Sequence, residues 1–337
     1  MFQQIIIAIG AGLASALLFF IPMKGTAYAM IALFSALPLM IAGLSFNPIL
    51  ALLGAGAGGL ALFFGLTLVA DVETIPALLF TGFFAATSAL PAWQLTRLAW
   101  LGRPPVQGEA PASDGLVWYP IGNLVAWMTA MAAAASIGGL MIAVFAVGSF
   151  GVLLSETATL LAPVLARLLS NVDKFPTSLT AEEVGRAFVL SMPPALAVWT
   201  LLGMALNLWL AARIAAFSQS MRRPWMSLPE NFELPRVILP AFAAAIALAL
   251  IDGLPRVIGA TIAVSIGAAL ALKGLAAIHS TTRAMSSRVA ILSAVYMTML
   301  VLFPLPAPLL TALGLSAMLT PRKRPPALPP AANSNEN

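Results

Sequence analysis

Residues 25–70 read GTAYAM IALFSALPLM IAGLSFNPIL ALLGAGAGGL ALFFGLTLVA, with no charged side chain between Lys24 and Asp71. A helix crosses the roughly 30 Å hydrocarbon core of a bilayer with about 20 apolar residues, and a charge at its centre costs several kcal/mol. This stretch is long enough for two crossings, with Asn47-Pro48 as the turn between them. Further charge-free gaps run from Glu73 to Arg97, from Asp114 to Glu156 and from Arg186 to Arg213. Over the 337 residues, 61% are hydrophobic and only 9% charged, and the mean hydropathy is +0.98. Soluble domains carry about 25% charged residues. The chain therefore reads as an all-α, polytopic transmembrane helix bundle.

Apolar runs place spans near 4–22, 27–46, 49–70, 75–94, 120–147, 192–213, 236–252, 256–274 and 288–304, followed by a short piece at 307–319. Pro22 with Gly25, Asn47-Pro48, Pro76, Pro120, Pro193-Pro194 and Asp252-Gly253 punctuate them. The N-terminal Met1-Phe-Gln-Gln lacks the basic start of a secretory signal, so the first segment reads as a retained span. With the N-terminus cytoplasmic, Arg97, Arg103, Arg213, Arg222, Arg223, Arg236, Lys273, Arg283, Arg288, Arg322, Lys323 and Arg324 fall inside. Lys24, Arg167, Lys174, Arg186 and Arg256 fall outside, an asymmetry that follows the positive-inside rule. The expectation is about 8–10 membrane segments with both termini cytoplasmic. The net charge of +5 reports this topology and not a nucleic-acid partner.

Residues 1–319 form one integral membrane domain in this reading, and 320–337, rich in Pro, Arg, Lys and Asn, a disordered cytoplasmic tail. Within the domain, 149–190 is an extracytoplasmic amphipathic segment, suited to lie in the interface or to roof a cavity. Its Thr180-Ala-Glu-Glu183 fits a capping box, which accounts for the acidic pair without catalysis.

The absences narrow the chemistry. Cysteine is missing, and His279 is the single histidine, at a helix end or facing water. No metal site, haem pair or cofactor is expected. Neither H-E-x-x-H nor G-x-S-x-G occurs, and Asp71, Glu73 and Asp252 sit at turns, so the chain reads as no enzyme. Gly54-Ala-Gly56-Ala-Gly58-Gly59 matches a dinucleotide fingerprint in spacing alone, because that motif acts only between a strand and a helix. Close helix packing through Gly54 and Gly58 is the better account.

Ala8, Gly12 and Ala16 form a similar small-residue face on the first span, and Gly259, Ala263, Gly267 and Ala271 on the eighth. Each can pack inside the chain or dock a partner membrane protein. Asn123, Thr129, Asn207, Ser265, Tyr296 and Thr298 lie at membrane depth with Trp127, Trp199 and Trp209. They serve either as interhelical hydrogen bonds with interfacial aromatics, or as a neutral pocket for a small organic ligand. The candidate ligand residues are Asn123, Trp127, Trp199 and Asn207. Trp225 to Pro235, held extended by prolines, is a rigid elbow or a docking site for a soluble partner.

The stretch Ala36 to Gly59 (ALPLMIAGLSFNPILALLGAGAGG) resembles the second and third spans of YybS-like bacterial membrane proteins. So does Trp225-Met-Ser-Leu-Pro229-Glu-Asn-Phe232-Glu-Leu-Pro235-Arg-Val, with its paired Leu-Pro elements around an aromatic residue. The glycine-rich N-terminal region is similar to the substrate-binding S components of energy-coupling factor transporters. That likeness implies an outward-facing ligand cavity, and a first helix whose Ala8, Gly12 and Ala16 face docks a coupling subunit. This chain has more spans than the six usual there, and no vitamin-binding signature.

The resulting expectation is a multi-pass protein of the bacterial inner membrane, in contact with membrane lipid, that binds or transports a small organic solute without catalysis. The alternative is a structural or assembly partner of another membrane protein, with no solute.

Overall fold

The computed structural model describes residues 2–25, 28–107, 109, 111–169, 180–224, 232–302 and 304–320. Seven of its helices are long and apolar enough to cross a membrane: Phe2–Met23, Pro48–Val69, Thr74–Ala99, Ile121–Val147, Phe150–Arg167, Glu182–Phe217 and Leu254–Thr281. Four apolar helices are shorter, at Met30–Ser45, Ile238–Ala249, Arg288–Val301 and Pro306–Leu319. Their outward faces carry large apolar side chains, with Phe145 90% and Val69 86% exposed. Water would not tolerate so continuous an apolar surface. The described residues form an all-α helical bundle whose long apolar helices suit a multi-pass membrane protein.

Contacts divide the chain into two units, Met1–Ala269 and Leu270–Asn337, where the sequence suggests a single domain over 1–319. The first begins with α1 (Phe2–Phe20), a helical turn α2 (Ala29–Ala32), α3 (Leu37–Ser45) and α4 (Pro48–Phe64). Asn47 caps α4, its Oδ1 accepting from the Ile49 N–H at 2.8 Å, and Pro48 supplies the first helical residue. That is the turn expected at Asn47-Pro48, built as capping chemistry prescribes.

Gly54 and Gly58 explain how α4 meets α1. A Cβ on Gly54 would stand 2.5 Å from the Ala8 carbonyl oxygen, and one on Gly58 2.5 Å from that of Gly12. Only backbones fit there, as the packing account of the glycine cluster requires. The partner numbers rise together, Ala8 with Gly54 and Gly12 with Gly58, so α1 and α4 run parallel. The intervening 29–45 segment must therefore carry the chain back.

The following span, Thr74–Ala99, joins α5 (Thr74–Phe84) to α6 (Leu90–Ala99) through a π-helical turn at Ala85–Ala89. A two-residue ladder, β1 (Gly102–Arg103) antiparallel to β2 (Val117–Trp118), closes the next loop. Then come α7 (Ile121–Val147), a left-handed turn at Gly148 (φ +90°), and α8 (Phe150–Leu169). Helix α9 (Ala181–Phe217) is 37 residues long, roughly 55 Å at 1.5 Å per residue. The capping box that starts it is complete: Thr180 Oγ1 accepts from the Glu183 N–H, and Glu183 Oε2 accepts from the Thr180 N–H at 2.8 Å. Glu182 pairs with Arg186 one turn on.

Here the structure corrects one boundary. Pro193-Pro194 does not begin a span, since α9 runs through it from residue 181. The side chain of Ser136 on α7 donates to the Pro193 carbonyl at 2.6 Å, tying the two helices at the double proline. The segment 149–190 is accordingly α8 plus the first part of α9, with Ala158 of α8 packed against Gly185. Residues 170–179 and the tail from 321 lie outside the described residues.

Two further helices complete this unit: α10 (Ile238–Ala249) and the first part of α11 (Leu254–Thr281). Gly259 packs against the α10 backbone at Ala245, Leu248 and Ala249. In the second unit, Gly274 on α11 and Gly314 on α13 (Pro306–Leu319) interlock with Leu310 and Leu270. Between these helices in sequence lies α12 (Arg288–Val301), on which no residue is buried. His279 lies within the last turn of α11, its Nε2 2.9 Å from the Tyr296 hydroxyl.

Candidate functional site: an interrupted helix beside a small cleft

The expected span at 27–46 is not continuous. It unwinds at residues 33–36, between α2 and α3, and Pro38 supplies the reason. Proline has no N–H, so the Phe34 carbonyl loses its α-helical donor and accepts from Leu37 N–H instead, at 3.0 Å. Phe34 and Ser35 donate backward in the same tight manner, to Ile31 and Ala32, both at 3.0 Å.

Those turns leave the carbonyls of Leu33 and Ser35 over, and buried carbonyls need partners. Side chains from elsewhere supply them. Asn207 on α9 donates Nδ2 to the Leu33 carbonyl at 2.6 Å and to the carbonyl of Gly203 at 2.7 Å. The Ser15 hydroxyl on α1 donates to the Ser35 carbonyl. Ser35 Oγ lies 2.7 Å from Ser88 Oγ, in the π-helical turn at Ala85–Ala89. Three separate segments thus clamp one break. Ser15, Ser35, Ser88 and Asn207 are all buried, Asn207 to 1% exposure. Gly203 lets α9 come close, because a Cβ there would stand 2.9 Å from Leu33 Cδ1.

A cleft of about 140 Å³ lies beside the break, with Phe19, Phe83, Ser88, Trp199, Thr200 and Asn207 on its wall. Its volume is close to the roughly 150 Å³ of an apolar cavity that holds one benzene. None of its described lining residues is charged. Both amide hydrogens of Asn207 are committed, and its buried Oδ1 has no partner among the described residues. Protein buries the unwound backbone and a cleft adjoins it, the setting in which an apolar helix bundle tolerates non-helical backbone.

Of the four candidate ligand residues, the structure brings two together. Trp199 and Asn207 lie on the cleft, two helical turns apart on α9, with Trp199 44% exposed. Asn123 and Trp127 do not line it. They lie near the start of α7, where Trp127 Nε1 donates to the Tyr119 hydroxyl at 3.1 Å. Arg223 is buried beside them and donates to the Tyr119 carbonyl at 2.9 Å, and burial lowers its pKa from the ordinary arginine value.

Ala8, Gly12 and Ala16 are buried, and Ala8 and Gly12 meet Gly54 and Gly58 of α4. That face packs within the chain. Of the extended Trp225 to Pro235 element, residues 225–231 lie outside the described residues. Phe232 and Leu234 are buried, and the Glu233 backbone fits against Gly122. Ser15, Ser35 and Ser88 were not singled out in the sequence. Their signal was serine in apolar spans, and for Ser35 a proline three residues on.

Elsewhere, Arg103 at the end of β1 and Glu109 in the loop that follows form an exposed two-pronged ion pair. The hydrogen bonds from Arg103, with another from the Val106 N–H, lower the Glu109 pKa to about 2. Among the described residues no group of three or more His, Cys, Asp or Glu could hold a metal ion.

No family model, curated protein or solved structure matches the chain.

Proposed function

We propose that this protein binds or moves a small, uncharged or weakly polar organic solute at the interrupted α2–α3 segment, without chemistry of its own. The observation that carries this reading is the cleft between Trp199 and Asn207, which adjoins unwound backbone and holds no charged side chain. A few polar groups in an otherwise apolar recess orient a ligand while its apolar body is desolvated. The size of the cleft favours a solute of benzene scale over a vitamin-sized one.

The lysine and arginine distribution supports cytoplasmic termini. The likeness to YybS-like proteins supports placement in a bacterial inner membrane, and the likeness to S components supports solute capture coupled to another subunit.

Native mass spectrometry of the gently solubilised protein tests the reading. A reproducible non-lipid adduct below a few hundred daltons is expected, lost in Trp199→Ala and retained in Trp127→Ala. A clean apo mass, or an adduct consisting of another membrane protein, would overturn it in favour of an assembly role.

A further inference from the structure

A second site stands apart from the cleft, where the span Thr74–Ala99 ends. Trp93, Arg97 and Trp100 follow at i, i+4 and i+7, which places them on one face of α6 and its last turn. The Arg97 guanidinium lies 5.9 Å from the Trp93 ring centroid. That of Arg222, from the segment after α9, lies 5.5 Å from the Trp100 ring. Both distances are within cation–π range. The result is two guanidinium–indole pairs at one helix end, with both arginines exposed.

Three exposed arginines of this chain are neutralised. Arg103 pairs with Glu109, Arg186 with Glu182, and Arg256 with Asp252. Arg97 and Arg222 form no ion pair among the described residues, and Arg97 makes only a 3.4 Å contact with Gln94 Oε1. A cation–π contact restrains a guanidinium beside its indole without using up its N–H donors. The guanidinium fork suits two oxygens of a phosphate. Tryptophans at the end of an apolar span sit at headgroup depth.

We propose that Arg97 and Arg222, held on Trp93 and Trp100, form a binding site for the phosphodiester headgroup of an anionic phospholipid. The lipid's acyl chains would lie along the exposed apolar surface of the Thr74–Ala99 span. This site is independent of the solute reading and survives its failure.

The test is native mass spectrometry of the full chain, delipidated and then equilibrated with mixed micelles of phosphatidylglycerol and phosphatidylcholine in equal amounts. The unaltered protein should retain phosphatidylglycerol preferentially, by roughly fivefold per arginine engaged. Arg97→Gln and Arg222→Gln should each reduce that preference, and the double variant should abolish it. Arg103→Gln, at an exposed but paired arginine, should leave it intact. Should the double variant fail to fold, either single variant decides. Equal retention of the two lipids, or an unchanged preference in the variants, overturns the proposal. Displacement of phosphatidylglycerol by excess inorganic phosphate would also overturn it, because the site would then take free phosphate and not a lipid.

Discussion

Helix α1 meets its neighbours in two ways within a few residues. At Ala8 and Gly12 it touches α4 backbone to backbone, and Gly54 and Gly58 leave no room for a side chain. At Ser15 it reaches out to the Ser35 carbonyl, left over where another segment unwinds. The first contact is shape alone, and it holds two parallel helices at fixed spacing. The second is polar and exists because a helix is interrupted. A cleft adjoins the second. Small residues thus build the frame, and the unwound segment at residues 33–36 adds the cleft beside it.

The frame should be the less forgiving of the two. Gly54→Leu would drive a side chain into the Ala8 carbonyl and Leu39, and overpacking against a rigid backbone costs about 3 kcal/mol or more. Gly56→Leu, two residues away with nothing within 4 Å, should leave the thermal midpoint in detergent nearly unchanged. Equal losses in the two variants would mean that α1 and α4 are not packed as described.

At the break the expected cost is smaller. Asn207→Leu strands the Leu33 carbonyl without a donor, at about 1–3 kcal/mol. It should also abolish any solute adduct, whereas Gly56→Leu should not. Ser136→Ala removes the hydrogen bond to the Pro193 carbonyl and should cost about 1 kcal/mol, with α9 still continuous by helix content. A loss of helix content would mean that Ser136 holds the double proline helical.

The smallest effect is local. The Glu109 carboxyl titrates lower when folded than its ordinary 4.5, so its contribution to holding Arg103 and the Val106 amide is complete above that value. It should fade as the pH falls toward about 2. Hydrogen exchange at the Val106 amide should quicken over that window, and Glu109→Gln should remove the pH dependence.

Much of the frame is legible in the sequence because its causes are local. Asn47-Pro48 caps a helix, Thr180 and Glu183 form a capping box, and glycines four apart mark a close crossing. The break is less legible. Pro38 sits in an apolar run that reads as one span, and the side chains that satisfy the unwound Leu33 and Ser35 carbonyls, Asn207 and Ser15, are distant in sequence. Pro193-Pro194 has the same local signature, yet α9 continues through it. One residue type thus gives opposite outcomes in the two spans. Trp199 and Asn207, spaced two turns apart on one helix, could be paired in advance, but Asn123 and Trp127 could not be separated from them.

The central claim is that the recess beside residues 33–36 is open to small water-borne molecules. The chain has no cysteine, so single cysteines report accessibility without background. Thr200→Cys, on the cleft, should react with a small methanethiosulfonate reagent in the membrane. Leu60→Cys, exposed on the outer face of α4, and Ala51→Cys, fully buried in the frame, should not. Protection of Thr200→Cys equal to that of Ala51→Cys would contradict the account, because the break would then be sealed packing with no site beside it.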